Sequence, residues 1–410
     1  MHRRKSTSLR DSSRSASAFP RRRVQSMCES RRPIRPGYSC WDYLVFATGR
    51  VPTYIFCSAR EHRDDLSPLD VLPNLLETRM ESMDMTKDAT PGKPVRLDGK
   101  VAIVTGSAAG WGRSIAECLA ERGAYVAING RQQAAIDEAV SQINAAGGRA
   151  IGVPADVSDV SQVERLIDTV RSKFGRLDIM INNAAGSNAP SSLLDMTNED
   201  WDSRIASVLN SVFYGCRAAA RAMVAQGGGG RIINMVGATG LYGMAGTSAY
   251  ASGKGAVLTA TYSWALELAE FGVTVNAVRA GVRTATTMPR IEKMRAKLKE
   301  LGQSAVPSAR DLGFFEPHEA AGPVVWLASE AAAHVTGRLI GIDGPKVTIY
   351  GTSQPTHQLF HEPFWDVDTV DAHARGVLAA LPKNAGIVGS NPAMGIQLPG
   401  YKGDFKPPSA

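Results

Sequence analysis

From Leu97 onward, short unbroken apolar runs alternate with longer stretches in which apolar residues recur at helical spacing. The runs Val101–Val104, Tyr125–Asn129, 150–153, Leu177–Ile181, Ile232–Val236, Val273–Val278 and Arg338–Ile342 predict seven strands. Runs this short and this apolar are typical of strands buried on both faces. Helical spacing fills the gaps: a helix ending near Arg122, helices near 132–146 and 159–174, and a long one starting near Glu199. Another carries Tyr250 to about Phe271, and a last one spans 317–331. Strands separated in turn by helices predict an α/β fold, a doubly wound seven-stranded parallel sheet with helices on both faces.

The flanks follow a different pattern, dividing the chain into a leader at 1–94, a domain at 95–350 and an extension at 351–410. Residues 1–36 hold eleven basic side chains against two acidic ones; as the whole chain carries +7, the remainder is near −2. A nucleic-acid-binding body is therefore not expected, because the basicity belongs to a tail. That Arg/Ser-rich tail lacks the apolar surface needed to fold and is expected to be disordered. Its composition is that of a transit peptide; alternatively the start lies at Met80, Met83 or Met85. The patch Trp41–Cys57 is interrupted by Arg50 and Pro52 and is too short to span a bilayer, so no membrane segment is expected.

The extension has prolines at 355, 363, 382, 392 and 399 and reads as a loop-rich arm with one helix over Val367–Leu381. Five cysteines (28, 40, 57, 118 and 216) form no CxxC pair, which suits a reducing, cytoplasmic setting, with organelle import left open by the leader. His357 and His361 have helical spacing but lack a third ligand, so no metal is expected.

Two stretches carry candidate chemistry. Thr105-Gly-Ser-Ala-Ala-Gly-Trp-Gly112 follows the first strand and opens a helix. Its glycines (106, 110 and 112) let backbone approach a pyrophosphate, and the helix N-terminus offers amide donors and a partial positive charge. Tyr250 and Lys254, four apart on one helical face, can act together. A cation beside a phenol favours the phenolate, and such a pair can move a proton near neutral pH.

These motifs, with Asp156-Val157 after the third strand and Asn182-Asn183-Ala184-Ala185-Gly186 after the fourth, resemble the short-chain dehydrogenase/reductase family in its single-domain Rossmann form over residues 97–345. The resemblance implies Gly106, Ser107, Gly110, Trp111 and Gly112 against the cofactor phosphates, Asp156 and Val157 at the adenine, and Asn183, Ala184 and Ala185 at the ribose and nicotinamide. Gly281 borders the same cofactor. Tyr250 becomes the acid/base and Lys254 the holder of the ribose hydroxyls. The substrate is then a small carbonyl or alcohol, and the protein a homodimer or homotetramer. After the second strand, Gly130 stands where an acid would mark NAD, and Arg131 follows it, which favours NADP over NAD.

The departures count equally. The family's serine thirteen residues before the tyrosine is Gly237 here, and nearby Thr239 is expected to point elsewhere unless the loop is rearranged. The family's asparagine seven residues after a helix tryptophan, counted from Trp201, is Val208, with Asn210 roughly 200° away around the helix. Three readings stay open: an NAD(P)-dependent enzyme interconverting ketone and secondary alcohol, a degenerate dinucleotide-binding scaffold or sensor, and an enoyl or imine reductase. The strand-free segment Arg279–Glu316 suits a substrate lid, with Ile291, Met294, Leu298 and Leu301 forming an apolar stripe.

Overall fold

The computed structural model of the protein describes residues 94–186, 190–300 and 306–351, with two short antiparallel ribbons, Val45–Phe46 with Thr53–Tyr54 and Ser390–Asn391 with Ile396–Gln397. Contacts divide the chain between Ala89 and Thr90, and the main sheet belongs to the second unit. The helix expected over 367–381, the three leader cysteines and the His357/His361 pair lie outside the described residues.

The sheet strands are β1 (Val101–Val104), β2 (Tyr125–Gly130), β3 (Arg149–Pro154), β4 (Ile179–Asn182), β5 (Gly230–Met235), β6 (Val273–Ala280), β7 (Leu339–Asp343) and β8 (Lys346–Tyr350). Their order across the sheet is β8-β7-β6-β5-β4-β1-β2-β3. The seven expected strands are present and parallel. An eighth joins them: β8 runs antiparallel to β7, with Lys346 opposite Asp343. The last expected strand ends at Ile342, and Gly344, at φ +60°, turns the chain straight back into a hairpin.

The helices are α1 (Gly110–Glu121), α2 (Gln133–Ala145), α3 (Val160–Phe174), α4 (Asn198–Ile205), α5 (Ser211–Gln226), the single turn α6 (Thr239–Tyr242), α7 (Ser248–Glu267), α8 (Met288–Glu300) and α9 (Gly322–Leu327). Asp159 caps α3 by accepting from the Ser161 and Gln162 amides, and hydrogen bonds from the Gln162 and Ser161 side chains, with those amides, hold its carboxyl down to about 2. The predicted helix 317–331 is instead three pieces, a 3₁₀ turn at Pro317–Ala320, α9, and a second 3₁₀ turn at Glu330–Ala332. Pro323 lies in the first turn of α9, where a missing amide is tolerated, but it cannot continue a preceding helix.

The two-sided packing is written into alternate residues. Ala102 and Val104 of β1 join one buried layer with Ile115 and Leu119 of α1 and Val324 of α9. Val101 and Ile103 join the opposite layer with Leu166 and Val170 of α3, Val212 of α5 and Val257 of α7. A period of two therefore serves both faces, and both are apolar, which is why the runs look unbroken.

Edge strand β8 is fastened by a buried cluster. Arg279 of β6 makes a bidentate bond to Asp343 at 2.9 and 2.6 Å, and its Nε donates to the Tyr350 hydroxyl at 2.7 Å. Gly341 of β7 lies between them and has no side chain to intervene. Removing one partner of a buried pair leaves an uncompensated charge. Asp343→Asn is therefore expected to cost about 3–5 kcal/mol in urea unfolding, whereas Lys346→Ala on the exposed side of Asp343 should change little.

Candidate active site

The sheet places its chemistry at the carboxyl ends of β1, β4, β5 and β6, where the strand order reverses between β1 and β4. The loop after β1 turns at Gly106, whose φ of +64° belongs to the left-handed region. Asn183 braces that loop from β4: its side-chain amide donates to the Thr105 and Gly106 carbonyls at 2.9 and 3.2 Å. Thr105 Oγ1 in return accepts from the Asn183 and Ala184 amides, both at 3.0 Å. A Cβ on Gly112 would collide with the Asn183 amide and the Gly106 carbonyl. The first turn of α1 thus lies directly against this cradle.

Of the residues expected at the cofactor, Gly106, Gly110, Gly112, Asn183 and Ala184 come together around this loop. Thr284, at the root of the 279–316 segment, faces Gly110: a Cβ there would lie 3.5 Å from the threonine methyl. Ser107 stands apart from them. It is fully buried, its hydroxyl donates to the Val104 carbonyl at 2.6 Å, and its amide donates to the Asn129 carbonyl at 2.8 Å. The side chain shapes the loop from inside, its hydroxyl also accepting from the Asn129 amide at 3.1 Å.

Trp111 is half-buried and donates from its indole nitrogen to the Ala320 carbonyl at 3.2 Å, tying the glycine loop to the turn before α9. Asp156 accepts from the Ser158 amide and hydroxyl, which lowers its pKa, and Val157 packs on the layer beneath. Arg131 is exposed at the end of β2. Gly281 is held where a Cβ would strike the Gly313 carbonyl.

Tyr250 and Lys254 project from the first half of α7. The Lys254 side chain is 2% exposed, and its ammonium donates to the Met235 carbonyl at 2.6 Å. It lies 5.8 Å from the centroid of the Tyr250 ring. Burial brings the Lys254 pKa down to about 8. Val208 is wholly buried in the π turn Ala206–Asn210 between α4 and α5, packed so closely that a Cβ on Gly253 would be 2.9 Å from its methyl. No carboxamide reaches Lys254 from position 208.

Beneath the site lies a polar network that spacing did not single out. Asn182 and Asn234 are register partners on β4 and β5, and the Asn182 amide donates to Asn234 Oδ1 at 2.9 Å. Asn234 donates to Thr261 Oγ1 at 3.0 Å, and Cys216 Sγ lies 3.2 Å from Asn234 Oδ1. The available signal was a polar residue closing each of two adjacent apolar strands. The lid stripe, in contrast, faces its own segment: Ile291 and Leu298 are buried, with Ile291 clustered beside Ala309 and Leu312. Met294's side chain and Leu301 lie outside the described residues.

A family model for the short chain dehydrogenases matches residues 100–297. A 3-oxoacyl-[acyl-carrier-protein] reductase of Synechocystis is 39% identical over 253 residues, which cover 61% of this chain and 98% of the relative. The corresponding reductase of Thermotoga maritima is 34% identical over 250 residues, again 61% and 98%. The chain belongs to the short-chain dehydrogenase/reductase family. Among solved structures, a short chain dehydrogenase from Mycobacterium avium superposes with a TM-score of 0.58 at 29% identity, covering 69% of this chain and 95% of the other.

The family is one of oxidoreductases that use a nicotinamide dinucleotide, and the cradle fits that group. Its glycines leave no side chain between the Asn183-braced loop and the N-terminus of α1, where a pyrophosphate is favoured. Among the described residues no group of three metal ligands converges and no helix is long and apolar enough to cross a membrane.

Buried Lys254 makes stability depend on pH. An unfolded chain holds this proton up to about pH 10.5, whereas the folded protein releases it near 8. Between those values the unfolded state binds more protons, so stability should rise with pH; below 8 the buried charge costs up to about 3 kcal/mol. Lys254→Met is therefore expected to raise the Tm of the protein at pH 7 in thermal denaturation. An unchanged or lower Tm would remove the desolvation argument.

Proposed function

We propose that this protein is an NADP-linked reductase interconverting a ketone and a secondary alcohol, with Tyr250 as general acid and base. The observation that carries the reading is the Lys254 ammonium, buried and anchored 5.8 Å from the Tyr250 ring, beside the dinucleotide cradle. When bound, the reduced nicotinamide supplies the hydride. The Tyr250 phenol gives its proton to the carbonyl oxygen in reduction and takes it back in oxidation. Lys254 favours the charged form of the phenol and holds the nicotinamide ribose hydroxyls.

Arg131 supports NADP, since a guanidinium just after β2 suits the bidentate geometry of a 2′-phosphate where Gly130 offers no carboxylate. The names of the relatives favour 3-oxoacyl thioesters as the first substrates to try, and exposed Lys293 and Lys299 on α8 suit a phosphorylated carrier. Exposed Phe213 and Leu266 on α5 and α7 support association of copies. The second reading, a dinucleotide-binding scaffold, is favoured by Gly237 and Val208, which leave two customary polar groups missing.

Titration of the full chain with NADPH and NADH by tryptophan fluorescence, followed by NADPH oxidation with acetoacetyl-CoA and simple ketones, separates the readings. Arg131→Ala should weaken NADPH binding roughly 10–100-fold and leave NADH binding nearly unchanged. Tyr250→Phe should lower kcat by at least about a hundredfold. Binding without turnover would favour the scaffold, and turnover that survives Tyr250→Phe would refute the assignment of the acid/base.

A further inference from the structure

The site has an oxygen without a partner where the family's serine is missing. Gly237 follows β5, and a Cβ placed on it would fit in ordinary contact, 3.4 Å from Tyr250 Cε1, 3.5 Å from Tyr250 Oη and 3.5 Å from Thr239 Oγ1. A serine would fit there, so the glycine is not imposed by crowding. That position is bordered by the tyrosine hydroxyl on one side and a threonine hydroxyl on the other.

Thr239 Oγ1 is shut off from solvent and has no hydrogen-bond partner within the protein. Buried hydroxyls are nearly always satisfied, and leaving one unmade is costly unless something else requires it. Its position is set by the backbone of α6. Gly240 donates its amide to the Gly237 carbonyl at 2.9 Å, closing a turn that brings residue 239 back over residue 237. The same Gly240 touches α7 so closely that a Cβ would lie 2.7 Å from the Gly255 nitrogen and 2.8 Å from Lys254 Cβ. Glycine at 240 thus lets the turn seat directly on the catalytic helix. From the sequence, Thr239 is expected to point elsewhere unless the loop is rearranged; this turn is such a rearrangement and folds its oxygen towards Gly237 beside the phenol.

We propose that Thr239 Oγ1 is a catalytic hydrogen-bond donor that replaces the missing serine, its unpartnered hydroxyl turning to the substrate oxygen as that oxygen docks beside the Tyr250 phenol. The proposal rests on the reductase reading. As the carbonyl carbon gains the hydride pair, its π bond to oxygen breaks and negative charge develops on that oxygen. Thr239 donates a hydrogen bond to it and keeps its own proton; the transferred proton comes from Tyr250. An oriented donor at a developing oxyanion acts mainly on the transition state, so its loss should fall on kcat more than on KM.

The test uses the full chain with NADPH and a substrate that the wild type reduces. Thr239→Val removes the hydroxyl at nearly constant volume and should lower kcat by roughly a hundredfold, with KM within about threefold and NADPH binding unchanged. Thr239→Ser should keep most of the activity. Adding Gly237→Ser to Thr239→Val restores a hydroxyl next to the phenol and should recover at least about tenfold of the lost kcat. That recovery separates a chemical role from a structural one, because a damaged turn would not be repaired by a serine two residues away. Thr239→Val with kcat within about twofold of wild type would overturn the proposal while leaving the reductase standing. A deficit that Gly237→Ser does not relieve would also overturn it. Absence of turnover in the wild type would overturn the reductase reading and this proposal together.

Discussion

The burial of one ammonium group constrains the whole active-site architecture. Lys254 is enclosed at the centre of the fold, where a charge is expensive, and a single backbone carbonyl, that of Met235, accepts from it. To hold it there, α7 must lie against the end of β5, and close contacts at Gly253 with Val208 and at Gly240 with Gly255 provide that approach. Tyr250, one turn earlier, is carried into place by the same packing.

The parallel sheet was legible because its strands are buried on both faces. Unbroken runs such as Val101–Val104 and Ile179–Ile181 have few other uses at that length, and the helical spacing between them supplied the crossovers. What escaped was local and depended on turns. The Gly344-Pro345 hairpin that adds β8, and Pro323 splitting the last helix, both hang on single residues whose effect depends on where the chain is already going. The proximity of Gly106 to Gly112 and of Tyr250 to Lys254 was legible because both follow from short, fixed spacings at the start of a helix.

Ser107 shows what a motif position does not reveal. Its hydroxyl and its amide are bonded to Val104 and Asn129, bracing the loop from within. Thr239 shows the converse. Counting placed it two residues away from the position of interest, but a count is not a distance once the backbone turns through a glycine pair. Neither outcome could be read without the path of the chain, since hydrogen-bond saturation is a property of three dimensions.

The network under the site has a consequence for how the protein can be watched. Cys216 is sealed between Asn182 and Asn234, and burial pushes its thiol up to about 12. At ordinary pH it is therefore neutral and inert toward alkylating reagents, which attack the thiolate. Any opening that separates α5 from the β4–β5 layer would expose it and release its reactivity. The residue is thus a latent clock for breathing of the core, read by the rate of covalent labelling and slowed by whatever ligand holds the two strand ends together.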